Sequence, residues 1–382
     1  MGFSDVRIER LRAYLAERDI AAMYVRDTSN IEWLTAFDDV FDSERAHALL
    51  VDGRRALLHT DSRYVTACER AARGTHVVVS ADAAGHAKVA RSFWDETCAP
   101  ASGETTAASA CASLGIEDSM ALSEFRALEK EFACEDGSPS ASFAETDGVV
   151  VGLRAVKDAD EIRRMRAAQA ITDAAFAHIV AFMKPGMTER EVQLELEDFM
   201  VRNGASGLAF SSIVATGANG ASPHAIPGAA VLEAGQCVVL DFGARALGYC
   251  SDMTRTVFLG EPEGKMLDAW LTMRRANEEV EAMIRPGVTG AEAHNHAEHV
   301  LAEGGFGGLM GHGLGHGVGI DIHEQPVLNP RNFKPLAAGN VVTVEPGIYI
   351  PGEFGMRLED FGVVTDEGLD VFTESTHELI VL

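Results

Sequence analysis

Apolar positions at the start of the chain suggest a helix over residues 5–18, with Val6, Ile8, Leu11 and Leu15 on one stripe. The run Ile20–Val25 is almost wholly apolar and reads as a strand. Residues 46–51 and 56–59 read as a hairpin turning at Asp52-Gly53, and residues 76–80 as a further strand before a helix near 86–96. This alternation predicts a small α/β domain over residues 1–153. The turn-rich stretch 135–140 is placed inside it. The boundary is placed within 153–160, where a new long helix starts and a second domain, 154–382, begins.

That second part repeats itself. Lys184-Pro185-Gly186-Met187-Thr188 matches Arg285-Pro286-Gly287-Val288-Thr289 at a period of 101, and Gly204 and Gly207 match Gly305 and Gly308. In each copy a helix ends at Pro-Gly, a threonine N-caps the next helix, and glycines close it. At an offset of 104, Ala234-Gly235-Gln236-Cys237-Val238-Val239-Leu240-Asp241 is echoed by Ala338-Gly339-Asn340-Val341-Val342-Thr343-Val344-Glu345. Each copy is a turn, then a buried-looking strand ending on a carboxylate. The pattern predicts two α+β halves related by a pseudo-two-fold, packed sheet to sheet with helices outside. The period is too long for a solenoid.

Composition narrows the function classes. The chain has 382 residues, 47% hydrophobic and 24% charged, enough for real cores in two domains. With 58 acidic against 32 basic residues, the net charge of −26 disfavours nucleic acid and anionic membrane as partners. The N-terminus lacks an apolar signal core and no run reaches membrane-spanning length, so a cytoplasmic protein is expected. Cys68, Cys98, Cys111, Cys134, Cys237 and Cys250 show no regular spacing and read as free thiols.

The chemistry gathers in the repeats. Asp241 and Asp252 are eleven residues apart around a turn at Ala246-Leu247-Gly248, where two strands of a hairpin can share a metal. Glu345 precedes Pro346-Gly347, and Glu359 follows fourteen residues later on what is read as the returning strand. Carboxylates in apolar runs are costly unless paired or metal-bound. The fifth ligand is sought in the Gly- and His-rich run from Gly311 to Glu324, where glycines would let the backbone approach a metal. A phosphate loop is rejected there, because no helix and no Lys-Ser/Thr follow. Four carboxylates and one imidazole favour two adjacent divalent ions, with manganese, cobalt, iron or zinc the suitable metals. The bland alternative is a structural metal or an acidic cluster. His294, His296 and His299 are read as an exposed helix face. No oriented acid supports a serine triad at Ser211, Ser212 or Ser222.

The spacing Asp241-x10-Asp252, the run His316 to Glu324, Val344-Glu345-Pro346-Gly347 and Arg357-Leu358-Glu359-Asp360 resemble the pita-bread metallopeptidases. That family includes methionine aminopeptidase, prolidase and aminopeptidase P. Arg10-Leu11, Ile20–Val25, Asn30-Ile31 with Trp33 to Phe37, and Thr60-Asp61 with Arg63-Tyr64 resemble the creatinase-type N-terminal domain more weakly. This combination points to the Xaa-Pro dipeptidase and aminopeptidase P branch. The resemblance implies two divalent ions, manganese first among them, held by Asp241, Asp252, His316, Glu345 and Glu359. It implies a water acidified between them that attacks the carbonyl before proline, with Glu345 passing its proton to the departing nitrogen. His224 and His323 would hold substrate and stabilise the oxyanion, Arg357 and Thr254 would orient the acids, and His312 would serve as a further histidine or as buried support. Short proline-containing peptides are the implied substrates, and a homodimer the implied assembly. Two departures stand out: Val327 occupies the place where some prolidases carry a carboxylate-gripping arginine, and Ala246 replaces a usual hairpin tyrosine. The alternatives are an amide or phosphoester hydrolase or a lyase on the same site, or a non-catalytic binding protein.

Overall fold

A computed structural model describes residues 2–99, 113–135 and 138–382. The chain divides into two compact units, Met1–Arg154 and Ala155–Leu382. Cys111, and Asp136 and Gly137 of the turn-rich stretch, lie outside the described residues.

The first unit runs α1 (Phe3–Glu17), β1 (Ile20–Val25), α2 (Thr28–Thr35), β2 (Ala48–Asp52), β3 (Ala56–His59), α3 (Val65–Ala71), β4 (Val77–Ser80), α4 (His86–Thr97), β5 (Ser113–Ile116), α5 (Leu122–Glu131), β6 (Ser142–Glu145) and α6 (Val149–Arg154). The strands form one sheet in the order β4-β3-β2-β1-β5-β6. β1 pairs antiparallel with β2 and parallel with β5. Phe93 and Trp94 of α4 and Leu128 of α5 pack with Tyr24, Leu50 and Leu114 of the sheet. The stripe expected on α1 needs one correction. Ile8, Leu11 and Leu15 are buried but Val6 is 46% exposed, and Ser4 and Arg7 lie inside. Positions two apart on a helix point to nearly opposite sides, so Val6 cannot share the face of Ile8. The Arg7 guanidinium is accommodated by donating to the Trp33 carbonyl at 2.9 Å.

The second unit begins with α7 (Ala159–Phe182) and α8 (Glu189–Arg202), followed by β7 (Gly207–Leu208), β8 (Ile213–Thr216), a 3-10 turn at Gly217–Ala221, β9 (Cys237–Phe242), β10 (Ala244–Ala246), β11 (Tyr249–Cys250) and β12 (Met253–Phe258). The second copy supplies α9 (Lys265–Met283), α10 (Gly290–Glu303), β13 (Gly315–Gly317), β14 (Glu324–Leu328), β15 (Val341–Val344), β16 (Gly347–Ile350), β17 (Phe354–Arg357), β18 (Asp360–Thr365) and β19 (Gly368–Val371). The repeat is visible atom by atom. Thr188 and Thr289 each close a capping box, with Glu191 and Glu292. The glycines before them, Gly186 and Gly287, adopt φ of 95° and 96°, a left-handed turn that side chains resist. Both threonines also make the same isolated bridge, to Val231 and to Pro335.

Each half buries most of its sheet against its own helices, while Phe258 of β12 meets Trp270 of α9 edge-on. Val238, Leu240, Met253 and Val257 meet Phe176, Val192 and Leu196 in one core. Val342, Val344, Ile348 and Met356 meet Trp270, Val280 and Leu301 in the other. The halves meet where the segment from Arg357 to Glu359 runs beside β12 and where β17 lies against β9, with Cys237 Sγ 3.4 Å from the Gly355 carbonyl oxygen. The Glu359 amide donates to the Thr254 carbonyl at 3.1 Å, and Thr256 Oγ1 donates to the Arg357 carbonyl at 3.0 Å. This junction brings the strand ends with their carboxylates side by side.

Candidate metal centre

Asp241 sits in β9 opposite Thr254 of β12, and Asp252 immediately precedes β12. Between them the small β10–β11 hairpin turns at Leu247-Gly248, both at positive φ. The two aspartates are 7% and 3% exposed. Glu345 follows the end of β15, where Pro346 has no N–H with which to continue the ladder. Glu359 lies on the returning strand, as expected, at an interruption of its ladder. β16–β17 and β15–β18 are one hairpin in a single register, with Gly347 opposite Arg357 and Val344 opposite Asp360. At the interruption the Glu359 backbone turns to Thr254, and its Oε2 accepts from Thr254 Oγ1 at 2.6 Å.

His316 comes from β13. Its Nδ1–H donates to the Gly317 carbonyl at 3.0 Å, which leaves a lone pair on Nε2. That atom lies 3.5 Å from Asp252 Oδ2 and 3.4 Å from Glu345 Oε1. Ligand atoms of Asp252, His316 and Glu359 all lie within 4.8 Å of one another. Asp241 Oδ1 is buried with no hydrogen-bond partner among the described residues, while Oδ2 accepts from Arg357.

Burial, then repulsion from Asp241 and Glu345, pushes the Asp252 carboxyl well above its ordinary range. Glu359 is pushed up by burial, then by Asp252, and Glu345 is raised by burial against the opposing pull of Arg357. Burial lowers His316, favouring its neutral, ligating form. A cluster of acceptors with too little positive charge, one orphaned carboxylate oxygen and one free imidazole lone pair is chemically completed by cations. The donor set therefore fits divalent metal ions.

Arg357 braces this set. Its Nη1 donates to Tyr349 Oη at 2.7 Å, its Nε to Thr254 Oγ1 at 2.9 Å, and its Nη2 to Asp241. Tyr349 was missed in the sequence, where it is one more apolar-looking position in β16. Its hydroxyl lies 3.0 Å from His312 Nε2, and His312 Nδ1 donates to the Gly313 carbonyl at 2.6 Å. Burial pushes the Tyr349 phenol up to about 12, so it stays a donor to His312. His224 and His323 are exposed side chains lining a cavity of about 790 Å³ that also reaches all five ligands. The His323 ring meets the His316 ring edge-on, centroids 4.4 Å apart.

Two sequence readings change here. The glycines around His316 were taken to admit a metal, but a Cβ on Gly315 would lie 2.1 Å from the Thr343 carbonyl oxygen, and one on Gly317 2.4 Å from that of Gln325. Glycine is needed so that β13 fits between its neighbours. His296 and His299 pair with surface glutamates as expected, whereas His294 is 8% exposed and lines the cavity. It shares the buried helical face of Ala297 and Leu301. A second acid–imidazole group lies under Glu359. Arg255 donates to Asp360 Oδ1 at 2.6 Å, His377 Nε2 meets Asp360 Oδ2 at 2.6 Å, and Glu281 is pushed up to about 8 by burial and then by Asp360. Here Arg255 already balances Asp360, and the group braces β12 against β18.

A cavity walled by candidate carboxylate ligands from two repeated halves is the arrangement of a metal-dependent hydrolase. A model of metallopeptidase family M24 matches residues 163–366, and one of the Creatinase/Prolidase N-terminal domain matches residues 7–156. The chain belongs to the M24 metallopeptidases and carries the creatinase-type N-terminal domain. It is 33% identical over 378 residues to the uncharacterized peptidase YqhT of Bacillus subtilis (strain 168), spanning 99% of this chain and 100% of that one. Among solved structures, the Xaa-Pro dipeptidase from Bacillus anthracis superposes with a TM-score of 0.88 at 36% identity, covering 99% of this chain and 100% of that one. The X-Pro aminopeptidase from Thermotoga maritima MSB8 follows at 0.83 and 32%, covering 98% and 100%. Among the described residues, no helix is long and apolar enough to cross a membrane.

Proposed function

We propose that this protein hydrolyses the peptide bond before proline in short peptides, with divalent ions held by Asp241, Asp252, His316, Glu345 and Glu359. The observation that carries this reading is the convergence of those five side chains on one cavity large enough for a short peptide. The names of the Bacillus anthracis and Thermotoga maritima relatives support the proline preference. When bound, two such ions supply Lewis-acid polarisation and lower the pKa of a coordinated water toward neutrality.

The protein's own groups do the rest. Glu345, 3.3 Å from Thr343 Oγ1 and 4.0 Å from Arg357 Nε, is held to take a proton from the attacking water and release it to the leaving nitrogen. His224 and His323 face the same cavity from loops on different halves and are assigned to the substrate carbonyl and its developing oxyanion. The buried part of the His323 ring, and then the neighbouring His316 and His224, hold it below its ordinary value, a neutral hydrogen-bond partner at neutral pH. Arg357 keeps Asp241 and Thr254 in place and thereby orients the ligands. The same reading takes manganese as the metal ahead of cobalt, zinc and iron, a homodimer as the assembly, and the cytoplasm as the compartment. It also takes residues 1–153 and 154–382 as the two domains.

The test is a panel of Xaa-Pro dipeptides, an Xaa-Pro-Yaa tripeptide and a non-proline control, run after chelation and again with manganese, cobalt or zinc restored. Metal-dependent cleavage confined to Xaa-Pro bonds is expected. No cleavage despite bound metal would overturn the peptidase reading in favour of a non-peptide substrate.

A further inference from the structure

A cavity of about 440 Å³ lies in the N-terminal unit, lined by Tyr24 and Arg26 at the end of β1, by the first turn of α4, and by α5 from its first turn at Ser123 to its last at Glu131. The chain runs from β1 through β4 toward one edge of the sheet, then returns to place β5 on the other side of β1. Crevices at the carboxyl ends of strands beside such a reversal are where open α/β sheets bind ligands. Two helix N-termini face it uncapped. Gly85 and Ala121, the N-cap residues of α4 and α5, have no side chain that could accept a hydrogen bond. The backbone N–H groups of His86, Ala87, Leu122 and Ser123 have no partner among the described residues. Such groups, with the helix dipoles behind them, favour an anion.

Tyr24 supplies an independent sign. It is 2% exposed and lines the cavity, yet its hydroxyl has no hydrogen-bond partner among the described residues. That hydroxyl opens onto the cavity, where it is available to donate to a bound group. The charges agree. Glu124 is already held by Arg26, with Nη2 to Oε1 at 2.9 Å, and by Arg45 at 3.2 Å. Lys88 and Lys130 line the cavity with no ion pair among the described residues, against the single further carboxylate of Glu131. This pocket is locally cationic in a chain whose net charge is −26.

We propose that this cleft binds a small oxyanion, the phosphate or carboxylate head group of a metabolite, on the N-termini of α4 and α5, Lys88 and the Tyr24 hydroxyl. The test uses the full chain, labelled with nitrogen-15 and freed of metal, titrated with inorganic phosphate at constant ionic strength against chloride. Saturable shifts of the His86, Ala87, Leu122 and Ser123 amides are expected. Lys88→Gln, a change at an exposed side chain, should weaken binding about tenfold, and Tyr24→Phe about threefold. Methyl phosphate and malonate, titrated in the same way, separate a phosphate ester from a carboxylate, and saturation by either supports the site. Shifts confined to residues 311–316, shifts matched by chloride, or affinity unchanged in Lys88→Gln would overturn it.

Discussion

Replacing Thr254 with valine deletes one hydroxyl and keeps the shape of a fully buried side chain. That hydroxyl donates to Glu359 Oε2 at 2.6 Å and accepts from Arg357 Nε at 2.9 Å. Each is a hydrogen bond to a charged group, worth roughly 1.5–3 kcal/mol. They share one atom and are not additive, so the metal-free protein should lose about 2–4 kcal/mol of stability. With Glu359 free to turn and Arg357 tethered only through Tyr349 and Asp241, metal affinity should fall about 10–100-fold. The assay is calorimetric titration of manganese into chelated protein, beside thermal unfolding of the metal-free form. Thr254→Ser restores the hydroxyl and should bind within about threefold of the unaltered protein. If Thr254→Val binds metal as tightly as the unaltered protein, the hydroxyl does not orient Glu359 and the reasoning fails.

Asp252→Asn should lose metal binding and Xaa-Pro cleavage together while its circular dichroism stays unchanged; full activity would refute the ligand assignment. Arg331 lines the cavity with no carboxylate partner among the described residues, so Arg331→Gln should raise KM about tenfold for substrates with a free terminal carboxylate and spare their amides. Equal KM changes for both would refute this. Glu281 titrates near 8 in the fold against an ordinary 4.5, so the folded chain holds a proton the unfolded chain releases, and stability falls as pH rises across that window. Glu281→Gln should flatten this part of the Tm–pH profile; an unaltered profile would refute the assignment. Gly315→Ala puts a methyl 2.1 Å from the Thr343 carbonyl oxygen and should cost about 3 kcal/mol or more in denaturant unfolding. A variant as stable as the parent would show that β13 has room.

Asp241 and Glu345 stood out as candidate ligands because each ends an apolar run, where an unpaired carboxylate makes no sense in a core. Duplication strengthened the signal by showing Asp241 and Glu345 at equivalent points. What stayed hidden depends on tertiary partners. Nothing local marks the interruption of the ladder at Glu359, because it depends on the Glu359 amide pairing with Thr254 of β12, far away in sequence. Tyr349 is unremarkable until the Arg357 guanidinium reaches it across the hairpin. His294 was misread because three histidines close in sequence suggest one surface, whereas helical geometry splits them between core and solvent. In the N-terminal unit the long apolar runs of β1 to β3 stood out, while α2, α3, α5 and α6 are only six to ten residues long and gave little to read.

The division of ligands between the halves bears on when activity can arise. Asp241 and Asp252 leave the ribosome with the first half, and His316, Glu345 and Glu359 come only with the second. Neither half alone brings together Asp252, His316 and Glu359, whose ligand atoms must lie side by side. A nascent or half-folded chain therefore has no working centre with which to cut its neighbours. Activity on this reading waits for the pairing of Thr254 with Glu359, because only then do groups from both halves stand side by side.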